Sequence, residues 1–374
     1  MQFIDLHAQY ELMEDSLKRR LDAILDNKHF IGGEEVGELE ARLADYTGVK
    51  HVIACASGTD ALTIPLRAYG LNEDDAVFVP SFTFFASGES VTLAGGTPVF
   101  VDVDTDTYNI DPDSLRKRIE EIKKEGRLRP RGVIAVDLFG QPAEHDRIDK
   151  IADENGLFVL EDAAQGFGGD IHGKKAGSFG HVAGTSFFPA KPLGCYGDGG
   201  AIFTDDDELA AIMKSVHVHG QGTDKYDNVR IGLNSRLDTI QAAVLLEKMD
   251  LFDDELKARD EVAARYNDKL SGLVKVPVVK EGYFSSWAQY TIQVEDAETR
   301  TRIIEALKEK DIPAMIYYPI PMHMSTAYSS DGIQTSLPVS EDLRNKVMSL
   351  PMHPYLKKED QDRICAVISE VLGK

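Results

Sequence analysis

Short apolar runs alternate with helix-like segments from residue 51 to residue 204, and this alternation constrains the fold more than any other feature. The runs are 51–54, 76–79, 98–103, 131–136, 157–160 and 200–204, and segments with helical character precede most of them, such as 112–124 and 143–155. Runs of four to six apolar residues without polar alternation read as strands buried on both faces, which is the mark of a parallel sheet. Alternation of such strands with helices implies right-handed βαβ units. In sheets of this kind ligands bind at the carboxyl ends of the strands. The polar residues that terminate each run are therefore the first place to look for chemistry.

The run ending at Leu160 stops abruptly at Glu161-Asp162, and Lys191 follows between an apolar run and the glycine-rich stretch G-C-Y-G-D-G-G at 194–200. A lysine in such a setting is desolvated, which lowers its pKa and frees its amine. An Asp and a Lys offered to one crevice suit pyridoxal phosphate: the Lys forms the Schiff base, and the Asp keeps the pyridine nitrogen protonated so that the ring acts as an electron sink. The turn Cys55-Ala56-Ser57-Gly58-Thr59-Asp60 joins a strand to a helix expected from about Ala61 to Ala68. It is equally an anion site, built from free backbone N–H groups and the helix dipole, or an ordinary loop capped by Thr59 or Asp60. Of the three aromatics in P-S-F-T-F-F at 80–85, two are expected to pack in the core and one could stack on a flat ring.

Helices are expected over 8–27 and 34–46, the second ended by Gly48. A long helical region from Thr239 to about Leu270, interrupted near Phe252, bridges to a C-terminal α+β part of about 110 residues. There, strand-like runs at 274–279, 287–294 and 312–318 alternate with helices at 298–310, 340–348 and 360–372. The acidic runs 205–208 and 253–255 read as helix starts and solvated faces. Trp287 belongs to the small core, His353 to a packed turn, and Cys195 to small-residue packing rather than nucleophilic chemistry. His217 and His219 lack a carboxylate partner and the spacing of a metal pair, so no metal site is expected.

A net charge of −22 and a pI near 4.8 argue against nonspecific nucleic-acid binding and against an acidic membrane surface. Cys55, Cys195 and Cys365 form no paired framework, which suits a reducing cytoplasm. The N-terminus lacks a basic and an apolar segment, so no signal peptide is expected, and no run approaches a membrane span.

These pieces fall into a recognisable register: F-I-D-L near the start, F-I-G-G-E-E-V at 30–36, S-G-T-D-A-L at 57–62, V-P-S-F-T-F at 79–84, P-V-F-V-D-V-D at 98–104, L-F-G-Q-P at 138–142, E-D-A-A-Q at 161–165, S-F-F-P-A-K at 186–191, G-D-G-G-A at 197–201 and N-S-R-L-D at 234–238. The chain resembles the DegT/DnrJ/EryC1/StrS group of nucleotide-sugar aminotransferases. The resemblance implies the α/β aspartate-aminotransferase fold, fold type I, with a large domain over 1–250 built on a mainly parallel seven-stranded sheet and a smaller α+β domain over 251–374. It implies pyridoxal 5'-phosphate held by Lys191, with Asp162 on the pyridine nitrogen and Gln165 on the phenolic oxygen. Phe84 would stack on the ring face, and Gly58, Thr59 and Ser186 would hold the phosphate. Asn234 would reach the phosphate from the partner subunit, which implies a homodimer with shared sites. Lys191 stands where dehydratase members have a histidine, so transamination between glutamate/2-oxoglutarate and a keto sugar is implied.

The version F-F-P-A-K-P-L-G-C-Y-G-D-G-G, with Y-P-I-P at 318–321, is similar to the branch that aminates C3 of a UDP-2-acetamido-2-deoxy-3-oxo-glucuronate for surface polysaccharides such as O-antigen. Lys28, Ser57, Arg236, Tyr317 and Tyr318 are the substrate-contacting candidates, Tyr317 standing where that branch has a His. The alternatives are C4 amination of a UDP- or dTDP-4-keto-6-deoxy sugar, and a cofactor-binding regulator without turnover.

Overall fold

A computed structural model describes residues 1–224, 226–329 and 335–373. Lys225, within the His- and Gly-rich loop after residue 217, lies outside the described residues. The large sheet has seven strands: β1 His51–Cys55, β2 Asp75–Pro80, β3 Thr97–Val101, β4 Arg129–Val136, β5 Phe158–Asp162, β6 Val182–Ser186 and β7 Gly200–Thr204. Their spatial order is β1-β7-β6-β5-β4-β2-β3. Every neighbouring pair is parallel except those made by β7, which runs antiparallel to both β1 and β6. The expected mainly parallel seven-stranded sheet is therefore present. β6 was not singled out as a strand from sequence, because V-A-G-T-S carries one large apolar residue and a central glycine.

Helices cover both faces of the sheet, and this is why the strands read as unbroken apolar runs. Residue parity separates the two sides. Val77, Val79, Ile134, Val136 and Leu160 pack in one cluster with Ile64 and Leu66 of α3 (Gly58–Ala68) and Val91 of α4 (Ala86–Leu93). Ala76, Phe78, Val133, Ala135 and Val159 pack on the other side with Leu115 and Ile119 of α5 (Pro112–Glu125) and Ile148 of α6 (His145–Asn155). On β5 the same alternation sends Asp162 toward α3 and α4 and Glu161 toward α6.

The N-terminal helices are α1 Leu6–Asn27 and α2 Glu34–Thr47, the latter closed by Gly48 at a left-handed φ of 78°. α7 (Asp207–Val216) is capped by the Asp206 side chain on the Leu209 N–H, as an acidic helix start should be. The bridging helical region is two helices, α8 Thr239–Met249 and α9 Phe252–Leu270. The other acidic run also opens a helix, α9, with Asp253 and Asp254 exposed, but Glu255 departs from the expectation: it is buried and accepts hydrogen bonds from Gln9 Nε2 (2.9 and 3.0 Å) and the Tyr355 hydroxyl, so it anchors α1 to α9 rather than facing water.

In the C-terminal part α10 (Ala297–Glu309), α11 (Pro338–Lys346) and α12 (Lys358–Leu372) surround one two-stranded antiparallel sheet, β8 Tyr290–Gln293 with β9 Val347–Leu350. The runs at 274–279 and 312–318 are not strands; they contribute isolated bridges, Val274 to Ser271 and Lys275 to Gln293 from the first and Met315 to Ser349 from the second. The strand that does pair with 290–293 follows directly on α11, so the helix expected over 340–348 ends at Lys346 and its last two residues open β9. Val347 and Met348 are β-branched or flexible residues whose burial is satisfied in the ladder. Trp287 is buried in this cluster and its Nε1 donates to Asp260 (2.9 Å). Among the described residues, no helix is long and apolar enough to cross a membrane.

Candidate active site

The carboxyl ends of β1, β2, β4, β5 and β6 meet at one edge of the sheet. At β1, the chain enters α3 three residues earlier than expected, so Gly58 and Thr59 form its first turn. The cap is Ser57, not Thr59 or Asp60: its Oγ accepts from the Asp60 N–H at 3.1 Å. Among the described residues the N–H groups of Gly58 and Thr59 take no partner, so two donors remain at the positive end of the helix dipole. Ser186, at the end of β6, lies directly against Gly58; a Cβ built on Gly58 would stand 2.5 Å from the Ser186 Cβ. Ser235 locks this turn from behind, accepting from the Ala56 N–H (3.2 Å) and donating to Asp60 Oδ2 (2.6 Å).

Asp162 ends β5 and is almost fully buried. The Ser87 hydroxyl donates to its Oδ2 (2.8 Å) and the Ala164 N–H to its Oδ1 (3.2 Å). Burial pushes the Asp162 carboxyl upward, while Ser87, the Ala164 amide and the Lys191 ammonium pull it back. Lys191 follows β6 with its backbone N–H on the Phe188 carbonyl (2.8 Å). Desolvation lowers its pKa against the attraction of Asp162. Among the described residues its ammonium takes no ion pair, so a neutral amine is accessible.

Gln165 is buried beside them: its Oε1 accepts from the Phe139 N–H (2.8 Å) and its Nε2 donates to the Tyr318 hydroxyl (3.1 Å). Tyr318 stands 6.4 Å, ring to ring, from Phe84 and next to Tyr317, whose ring meets Phe3 edge-on. Phe84 differs from its neighbours. Phe82 is fully buried and Phe85 packs on Tyr328, yet Phe84 is 57% exposed at the crevice. Two of the three aromatics are thus core residues, as expected. The segment bearing Tyr318 is tied to β2 by Ser81, whose Oγ lies 2.6 Å from His323 Nδ1, with Glu341 3.4 Å from His323 Nε2.

Among the described residues, no hydrogen bond ties the side chains of the remaining substrate candidates, Lys28, Asn234 and Arg236, to these groups. Lys28 caps α1, is exposed and donates to the Asp26 carbonyl (3.0 Å). Asn234 and Arg236 are exposed and bonded to each other (3.1 Å). The chain after Lys28 does reach the same neighbourhood, since the Thr239 N–H donates to the Phe30 carbonyl (3.0 Å).

Sequence reasoning missed Ser87, whose only signal was a small hydroxyl in the first turn after F-T-F-F. It also missed a buried group on the opposite face: Asp137, His145 and Glu161 lie within 4.8 Å of one another. Asp137 Oδ1 takes the Ala143 N–H (2.8 Å) and lies 3.0 Å from His145 Nε2, and both Glu161 oxygens accept backbone N–H groups from Gly177 and Phe179. Cys195 is packed, as expected, its thiol against the carbonyls of Phe187 and Gly197. His353 is buried and desolvation lowers its pKa to about 4.

The residues fit pyridoxal 5'-phosphate. Two free helix N–H groups beside Ser186 suit the phosphate, an exposed ring at Phe84 suits a flat heteroaromatic, a buried carboxylate suits a pyridinium and a desolvated lysine suits an aldehyde. When bound, the cofactor supplies an electrophilic carbon and an electron-withdrawing ring. Fold and site together define a pyridoxal-phosphate-dependent aminotransferase. The chain belongs to the DegT/DnrJ/EryC1/StrS aminotransferase family, whose model matches residues 11–369. It is 43% identical over 370 residues to a UDP-2-acetamido-2-deoxy-3-oxo-D-glucuronate aminotransferase from Pseudomonas aeruginosa, covering 99% of both chains. Among solved structures it is similar to a DegT/DnrJ/EryC1/StrS aminotransferase from Brucella abortus (TM-score 0.96, 52% identity, all of both chains). It is also similar to S. venezuelae DesV in complex with a ketimine intermediate (TM-score 0.93, 35% identity, 100% and 98% of the two chains). The fold is thus the aspartate-aminotransferase type expected from the motifs.

Proposed function

We propose that this aminotransferase moves the amino group of glutamate to C3 of a UDP-2-acetamido-2-deoxy-3-oxo-glucuronate, releasing 2-oxoglutarate, in the cytoplasm and in the service of surface polysaccharide such as O-antigen. The observation that carries the substrate is the 43% identity, end to end, with the Pseudomonas 3-oxo-glucuronate aminotransferase. In this reading Lys191 holds the cofactor and then, as a neutral amine, carries the proton between the donor's Cα and the cofactor. A positioned base of this kind contributes about 10²–10⁴ in rate. Asp162 keeps the pyridine nitrogen protonated, Gln165 holds the phenolic oxygen, Phe84 covers the ring, and Gly58, Thr59 and Ser186 hold the phosphate.

The protein works as a homodimer with shared sites. Asn234 completes the partner's phosphate site, while Arg236 and Lys28 meet the substrate's anionic groups and Ser57, Tyr317 and Tyr318 its sugar. Exposure of Asn234 and Arg236, together with exposed Phe30, Ile31, Val229 and Ile231, supports a second subunit on this side. The chain divides at residue 250 into a cofactor-binding domain and a smaller domain.

Turnover of the purified protein with glutamate and each class of keto sugar tests the assignment. The expected result is a kcat/KM at least about 10²-fold higher for the UDP-3-keto uronate than for a 4-keto-6-deoxy sugar, the discrimination a site built for specific polar groups provides. Preference for the 4-keto sugar would overturn the C3 assignment.

A further inference from the structure

Asp162 is held by a residue that nothing in the motif register marks. Ser87 sits in the first turn of α4, is 1% exposed, and points its hydroxyl at a carboxylate 75 residues away in sequence. Serine in a helix ordinarily bonds its own backbone one turn back. Ser90 of the same helix does so, on the Ser87 carbonyl (3.1 Å), whereas the Ser87 hydroxyl turns to Asp162, with Thr83 Oγ1 3.5 Å away. With Ser87 on Oδ2 and the Ala164 amide on Oδ1, each Asp162 oxygen carries one fixed donor. The carboxylate can no longer turn about its last bond without losing both.

Burial alone disfavours an ionised Asp162, and the groups that offset it are Ser87, the Ala164 amide and Lys191. The Asp137 backbone N–H donates to the Asp162 backbone carbonyl (3.1 Å), which brings the two carboxyl-bearing strands together. Lys191 is the favourable cation, and in the proposed function its amine is consumed in holding the cofactor. Ser87 is then the neutral group that stabilises the anion throughout.

We propose that Ser87 is a positioning residue of the transamination site: its hydroxyl fixes the Asp162 carboxylate and keeps it ionised, so that a pyridine nitrogen opposite Asp162 stays protonated. The inference rests on Asp162 being the pyridine partner, and the test separates the two. Holoprotein loaded with pyridoxal phosphate labelled with nitrogen-15 in the ring is prepared for the unsubstituted chain, Ser87→Ala, Ser87→Cys and Asp162→Asn. The ring nitrogen shift is followed against pH, and the rate of 2-oxoglutarate release from glutamate alone is measured. Loss of a hydrogen bond to a charged group should deprotonate the ring nitrogen about one pH unit lower and slow the release about tenfold in both Ser87 variants. Ser87→Cys keeps the packing with a weak donor, so a loss through packing alone would spare it. If Asp162→Asn loses the protonated signal while both Ser87 variants keep the wild-type shift and pH profile, the role of Ser87 is wrong. If Asp162→Asn also keeps it, the pyridine assignment of Asp162 is wrong and the role of Ser87 falls with it.

Discussion

Gly58 and Ser186 touch so closely that a single methyl group cannot be inserted between them: a Cβ at residue 58 would lie 2.5 Å from the Ser186 Cβ and 2.8 Å from its Oγ. One residue opens α3 and the other ends β6, so their contact sets the width of the anion cup. Gly58→Ala must push the strand end from the helix. Overpacking of this kind costs about 1–3 kcal/mol, and we expect cofactor affinity to fall roughly tenfold, read by titrating apoprotein with pyridoxal phosphate. Unchanged affinity would place the phosphate elsewhere.

Phe84 separates binding from folding. Because it is 57% exposed, truncation removes little core packing. Phe84→Ala should leave the thermal midpoint within about 2 °C while weakening cofactor binding by the roughly 0.5–1.5 kcal/mol an aromatic stack supplies. A large drop in midpoint with intact cofactor affinity would make Phe84 a core residue.

Lys191→Ala and Lys191→Arg should each abolish the yellow absorbance of the bound cofactor and lower turnover by at least about 10³-fold, a loss no other lysine should compensate. Lys248 is the informative control. It is also buried, with its pKa lowered to about 8 by desolvation, but its ammonium lies over the Tyr196 ring rather than beside Asp162. Lys248→Met should keep the absorbance. Absorbance that survives in Lys191→Ala and is lost in Lys248→Met would reassign the cofactor lysine.

The Asp137, Glu161 and His145 group makes stability pH-dependent. Burial raises Asp137 to about 7 and lifts Glu161 in the same direction, while it lowers His145; Asp149 faces the group from α6, and Lys174 from a short hairpin in which Asp170–Ile171 pairs with Lys174–Lys175. Above the ordinary carboxyl range the folded state holds a proton that the unfolded state has lost, so stability declines as pH rises through 7. Below pH 6.5 the neutral His145 acts with the opposite sign. Asp137→Asn keeps an acceptor for the Ala143 N–H and should remove about 1.4 kcal/mol of the decline between pH 6 and 8.5, measured by denaturant unfolding at both pH values. Identical slopes in the two proteins would show that Asp137 is ionised in the folded state.

Much of this architecture was legible in the residues. The doubly covered strands announced themselves as unbroken apolar runs, and Asp162 stood out because a charge ends such a run. β6 was hidden because Gly184 and Ser186 are small: Gly184 must be, since a Cβ there would meet the Ala61 carbonyl oxygen at 2.7 Å. Of the C-terminal strands, the run 287–294 was legible and holds β8, but the apolar runs at 274–279 and 312–318 have strand composition without forming strands, and only tertiary pairing chose Val347–Leu350 as its partner. Ser87, His323 and Glu255 were invisible for a different reason. Their partners, Asp162, Ser81 and Gln9, are 75, 242 and 246 residues away, and no local pattern encodes a side-chain hydrogen bond at that range.

In the proposed function one site, built on Lys191 and Asp162, takes an amino group from glutamate and gives it to a keto sugar. The direct measurement is a two-stage stoichiometry on the yellow holoprotein. Glutamate labelled with nitrogen-15 is added alone, 2-oxoglutarate is counted against sites, excess glutamate is removed, and the UDP-3-keto uronate is then supplied. The expected result is one 2-oxoglutarate per site with bleaching of the yellow band. The band should then return as nitrogen-15 appears on C3 of the sugar. Bleaching without 2-oxoglutarate, or a sugar that emerges without the label, would contradict it.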